Sequence, residues 1–124
     1  MAVFEKTVVP QEQFASLVTK ILGDMTALLI EKNRMYGGAS MDMGMTGVYV
    51  HIHDKDTRLK SLIEKRAAGQ QISFEGTEDT LRDTIGYATI GLVIEEANRQ
   101  LAEAQARVFG DAALEPFGYD KDRD

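Results

Sequence analysis

Nine positions between residues 79 and 108 fall within roughly 80° of one another when the chain is wound at about 100° per residue. They are Asp79, Asp83, Gly86, Ile90, Ile94, Ala97, Leu101, Ala104 and Val108. The spacing predicts one long helix, capped at its start by Thr77 and stopped by Gly110 after Phe109. Gly86 and Gly91 are its candidate kink sites. Leu81, Ile85, Ala88 and Leu92 lie on the side away from the row, so the first half is apolar on two sides. Such a helix belongs at the centre of a bundle or at a subunit interface. The two acids at the head of the row point toward a core or cleft, where unpaired negative charge is costly. That cost calls for a counter-charge, and a metal ion is the first candidate.

Two further helices follow from the same periodicity. Phe14, Leu17, Val18, Ile21, Met25 and Leu28 form an apolar stripe on a helix that starts near Pro10, with Lys32 and Tyr36 in phase. Gly37 and Gly38 stop it. Residues 37–47 read as a methionine- and glycine-rich loop, either a connector or a lid. From Gly47 to about Ala68, Val48, Ile52, Leu59, Leu62 and Ile63 mark a second helix, ended by Gly69. Residues 70–76 connect it to the long helix, with Phe74 as a possible anchor. The expected architecture is all-α: a helical bundle of three to four long helices, completed by oligomerisation because three elongated helices leave much apolar surface in water. Residues 1–9 form an N-terminal extension, 10–110 the single domain and 111–124 an acidic C-terminal tail.

The charge balance narrows the partners. Twenty acids against fourteen bases give a formal net charge of -6, which argues against gripping a nucleic-acid polymer through its phosphates. A small anionic ligand held through metal stays open. The absence of cysteine excludes disulfides and thiolate zinc sites and fits a cytoplasmic setting. No uninterrupted apolar run approaches about 20 residues, and the Met-Ala-Val-Phe-Glu-Lys start lacks a signal-peptide pattern, so no membrane association is expected.

Asp79 and Asp83, one turn apart, match the habit of Mg²⁺ of binding carboxylate oxygens and leaving sites for water and phosphate. Glu78 is also explained as a cap-region acid paired with Arg82. Asp54 and Arg58 form an i, i+4 pair that by itself reads as surface, as do the flanking Lys55 and Lys60. Lys32 and Tyr36 share an inward face, so an ammonium and a phenol can meet one cleft; a snorkelling lysine is the alternative. His51 and His53 fall on different faces, against the i, i+4 spacing of a helical zinc pair. No GxxxxGK[ST] loop, GxGxxG or nucleophile elbow is present.

Three segments taken in order, Lys32-Asn-Arg-Met-Tyr-Gly37, Ile52-His-Asp-Lys-Asp-Thr-Arg-Leu59 and Glu78-Asp-Thr-Leu-Arg-Asp-Thr-Ile-Gly-Tyr-Ala88, resemble a phage and bacterial family. This is the nucleotide modification associated domain family, related to the MazG-like all-α NTP pyrophosphohydrolases. The resemblance spans roughly residues 15–95. It implies an oligomeric helical bundle, Mg²⁺ (or Mn²⁺) bound by helix-borne acids, and cleavage of a nucleoside triphosphate to a monophosphate and pyrophosphate. In that scheme Asp79, Asp83, Asp54 and Glu75 are metal ligands. Asp54, Glu78 and Lys55 serve catalysis, and Lys32, Tyr36, Arg58 and Tyr87 hold substrate. The metal neutralises phosphate charge and lowers the pKa of an attacking water. The chain departs from the MazG pattern at Thr80, where ExxD would place glutamate, and has Asp54-Lys-Asp56 in place of ExxE.

The expected function is therefore a Mg²⁺-dependent pyrophosphohydrolase-like protein acting on (deoxy)nucleotides in phage nucleotide metabolism, a homo-oligomer (dimer or tetramer) in the host cytoplasm. The departures motivate the alternative, a non-catalytic nucleotide-binding or structural oligomer with the same bundle.

Overall fold

The structure, a computed structural model, describes residues 7–110; the acidic tail lies outside the described residues. It is all-α. Helix α1 spans Gln11–Met35, a short 3-10 helix spans Ala39–Met43, α2 spans Gly44–Ala67 and α3 spans Phe74–Phe109.

The helix ends obey local chemistry. Pro10 precedes α1 with an extended backbone, and α1 stops where Gly37 and Gly38 take φ of 60° and 82°, a region that costs side-chain-bearing residues energy. The stretch expected as an open loop is largely helical: the 3-10 turn leads directly into α2, which begins at Gly44 rather than Gly47. Nor does α3 start at Thr77. Its cap is Ser73, whose Oγ accepts a hydrogen bond from the Gly76 amide at 3.2 Å, the usual device for satisfying a first-turn donor. Phe74 is thus the first residue of α3, exposed beneath the Arg66 guanidinium at 5.7 Å, rather than an anchor. The α3 helix runs unbroken past Gly86 and Gly91.

These two glycines are contact points. A Cβ on Gly91 would meet Val48 Cγ1 at 3.2 Å, and one on Gly86 would meet Leu29 Cδ2 at 3.4 Å. Gly91 lets α2 approach closely, and Gly86 does the same for α1. The α2 and α3 helices pack antiparallel through successive pairs: Val48 on Gly91, His51 stacked on Tyr87 with centroids 4.4 Å apart, Lys55 on Asp83 and Arg58 on Thr80. Arg66 continues the seam by donating to Thr77 Oγ1 at 2.9 Å. The α2 positions 48, 51, 55 and 58 alternate three and four apart, the spacing of a helix–helix seam. Three of these four are polar, so the seam lies beside the Ile52, Leu59, Leu62 and Ile63 stripe that periodicity picked out; those residues are half-buried.

By contrast, α1 packs far more lightly on α3 than α2 does: Leu29 lies against Gly86, and Met25 is its one buried side chain among the described residues. Met25 and Val48 are the only buried hydrophobic residues among those described, while Phe14, Leu17, Ile21 and Leu22 stay 42–54% exposed. Helix α1 is long and apolar enough, by length and composition, to cross a membrane. Lys20 and Asp24 interrupt its continuous apolar runs, yet the average over an 18-residue window stays high.

Gly86→Ala is expected to stabilise the protein by about 0.5–1 kcal/mol, since helix propensity improves and Leu29 can yield. Gly91→Ala should not gain, because the stiff, buried Val48 must move. Urea unfolding of both variants checks this; equal gains would contradict the close approach at Gly91.

Candidate functional site

Thr80 is the most buried side chain, at 1% exposure. Its hydroxyl donates to the Gly76 carbonyl at 2.8 Å and accepts from Arg58 Nε at 3.0 Å, which satisfies a polar group that would otherwise be costly to bury. A glutamate here, as the MazG pattern would place it, would push a longer, charged side chain into this seam. Arg58 therefore crosses to α3 and does not form the expected surface pair with Asp54. Asp54 itself is exposed and makes no ion pair among the described residues.

One turn further along the seam, Lys55 Nζ lies 3.0 Å from Asp83 Oδ2, with side chains 24% and 45% exposed. Lys55 is not the surface lysine its neighbours suggested. It supplies the counter-charge that the half-buried Asp83 requires, and the pair ties α2 to α3 just below an open cavity.

That cavity, of about 770 Å³, opens between the C-terminal half of α1, the 3-10 turn and the middle of α3. Leu22, Met25, Leu29, Ile85, Ile90 and Val93 contribute its apolar wall. Lys32 and Asn33 from α1, Tyr36 at its C-terminal end and Arg82, Asp83 and Tyr87 from α3 add polar groups to its lining. Four of the residues singled out from sequence (Lys32, Tyr36, Asp83 and Tyr87) thus meet around one space. Tyr87 is stacked on the His51 ring, nearly parallel at 3°. Asn33 and Arg82 line the same cavity and escaped the sequence reading. Asn33 lies one residue past Lys32 in the Lys-Asn-Arg-Met-Tyr-Gly segment, and Arg82 was treated only as a partner for Glu78.

The remaining acids stand apart. Glu78 pairs with Arg82 at 3.3 Å, and Asp79 approaches the same guanidinium at 3.9 Å while 63% exposed. Asp79 does not face inward as its helical row suggested. The cavity's α3 residues begin at Arg82, so Asp79 lies outside its lining. Glu75 is exposed in the first turn of α3. Among the described residues, no three acids or histidines gather into a group able to hold a metal. Asp79 and Asp83 remain one turn apart, which meets the smaller demand of Mg²⁺ for one or two carboxylates with water and phosphate oxygens around the rest.

No protein-family model, curated protein or solved structure matches this chain.

A double-mutant cycle on Lys55→Ala and Asp83→Ala should give a coupling of about 0.5–1 kcal/mol, weakening with salt. The same cycle on the fully surface pair Lys20–Asp24 should give no more than about 0.5 kcal/mol. Equal couplings would mean that the Lys55–Asp83 pair is no more sheltered than an ordinary surface contact.

Proposed function

We propose that the protein is a Mg²⁺-dependent nucleoside triphosphate pyrophosphohydrolase-like protein acting on (deoxy)nucleotides, and that the cavity between α1 and α3 is its nucleotide site. The observation that carries this reading is the lining of one cavity, which sets two tyrosines, an amide, two cations and a carboxylate among mainly apolar side chains. A base fits against Tyr36 and the face of Tyr87 that His51 leaves uncovered, where base–aromatic stacking contributes about 1–3 kcal/mol. Asn33 has both a donor and an acceptor for a base edge or sugar hydroxyl. Lys32 and Arg82 give the phosphates their positive charge, Arg82 with the planar fork that suits phosphate oxygens.

Asp83, with Asp79 one turn away, is the pair that would hold Mg²⁺. The bound ion would supply phosphate charge neutralisation and a more acidic water. Lys55 holds the Asp83 carboxylate in place. In this reading Arg58 acts through Thr80, fixing the register that sets Asp83 and Tyr87 beside the cavity, rather than touching substrate. The order of the three segments that resemble the nucleotide modification associated domain family supports the same substrate class, and with it a place in phage or bacterial nucleotide metabolism. The proposed partners are a nucleotide and further copies of the chain.

One observation favours the second reading, nucleotide binding without hydrolysis. The carboxylate nearest the cavity is already neutralised by Lys55, and Asp54, Glu75 and Glu78 lie apart from it.

Incubation with each canonical and modified dNTP and Mg²⁺ is expected to release pyrophosphate, and Asp83→Ala should reduce turnover at least about 100-fold, the scale on which single groups positioned at a reacting centre act. Absence of turnover with every substrate, or full activity in Asp83→Ala, would overturn the enzymatic reading. Calorimetric binding of a nucleotide that weakens in Tyr87→Ala but is never hydrolysed would select the second.

A further inference from the structure

Antiparallel pairing places the N-terminal half of α1 and the C-terminal half of α3 at the same end of the molecule, since Leu29 meets Gly86 while Leu22 and Val93 share the cavity wall. Both halves are arms. Every described residue of α1 before Met25 is exposed, and α3 continues past Gly91, where the start of α2 leaves it. Each arm is amphipathic about its own axis. On α1, Phe14, Leu17, Val18 and Ile21 fall on the side of the buried Met25, while Lys20 and Asp24 fall away from it. On α3, Leu101 and Val108 form the apolar side and Glu95, Glu96, Arg99 and Glu103 the charged one.

The exposed area measures what is missing. A compact monomer of 13.7 kDa exposes about 6,600 Å² by the usual size scaling, whereas this chain exposes 10012 Å². Counting residues 1–6 and 111–124 at the full area of an unfolded chain removes about 3,200 Å² and still leaves an excess of about 1,000 Å² over a compact domain of the remaining length. A standard-size interface buries about 800 Å² per partner.

We infer that these arms are the dimer interface: a second copy of the chain packs its α1 and α3 arms against them in a two-fold, antiparallel four-helix bundle. This specifies the surface of the proposed homo-oligomer and does not rest on the nucleotide reading. A lipid surface is the competing occupant of an apolar helix such as α1. The charged outer faces of both arms fit a bundle surrounded by water, and two copies of each arm supply the four apolar stripes that such a bundle needs.

The absence of cysteine makes the test clean. Sedimentation equilibrium of the full chain at micromolar concentration should give a dimer, and Ile21→Glu and Leu101→Glu should each shift it to monomer or to unfolded chain, as circular dichroism distinguishes. Val18→Cys treated with a short bismaleimide should cross-link into dimers, and Ala27→Cys, on the opposite face of α1, should not. A wild-type monomer at tens of micromolar, a dimer that survives both charge substitutions, or cross-linking through Ala27→Cys alone would each overturn the inference. Monomeric protein that sediments with phosphatidylcholine vesicles would overturn it in favour of lipid. A chain that dimerises as described yet releases no pyrophosphate counts only against the nucleotide reading.

Discussion

The register of α2 against α3 rests on a seam in which small, aromatic and charged residues are matched one to one. Val48 sits on Gly91, His51 on Tyr87, Lys55 on Asp83 and Arg58 on Thr80. A purely apolar seam would tolerate sliding by a turn, because one aliphatic side chain replaces another at little cost. This one does not. Shifting α2 by one turn would set Val48 against Tyr87, place the Lys55 ammonium beside the buried Thr80 hydroxyl and leave Asp83 without its counter-charge. Each mismatch leaves a polar group without its partner, which costs more than the matched contact contributes.

That register decides the site. Tyr87 is presented by a ring stacked behind it, and Asp83 is held by a lysine from below. Both project from α3 at the level where α1 comes closest, with Gly86 between them in sequence and Leu29 against it. The α1 helix is attached much more lightly, through Met25, Leu29 and the turn after Gly38. The cavity is therefore the space left between a well-registered hairpin and a helix that one chain alone holds at a single region. Closing the far ends of α1 and α3 against another copy would fix the width of that space as well.

The helices themselves were legible. Periodicity places the stripe of α1, Gly37–Gly38 and Gly69 mark two stops, and Gly110 marks the third. What periodicity missed has a common cause: the important residues at the seam are the ones that look like surface. Lys55 resembled its neighbour Lys60, and Arg58 seemed a partner for Asp54. Thr80 entered only as a departure from a pattern, yet it is the best-buried side chain described. The cap was misplaced for a related reason. Thr77 and Ser73 are both competent caps, and Thr77 is occupied as an acceptor for Arg66 across the hairpin.

By itself the sequence determined the helical class, the approximate spans and the shared face of Lys32 and Tyr36. Those follow from local geometry, because helix phase is fixed within a few turns by the 3.6-residue repeat. Only the tertiary structure decided that Asp79 lies outside the cavity while Asp83 lies at its edge, although both belong to the same row. The difference lies in how α1 packs against α3, which depends on contacts between segments far apart in the chain, Leu29 on Gly86 among them. No local rule carries that arrangement.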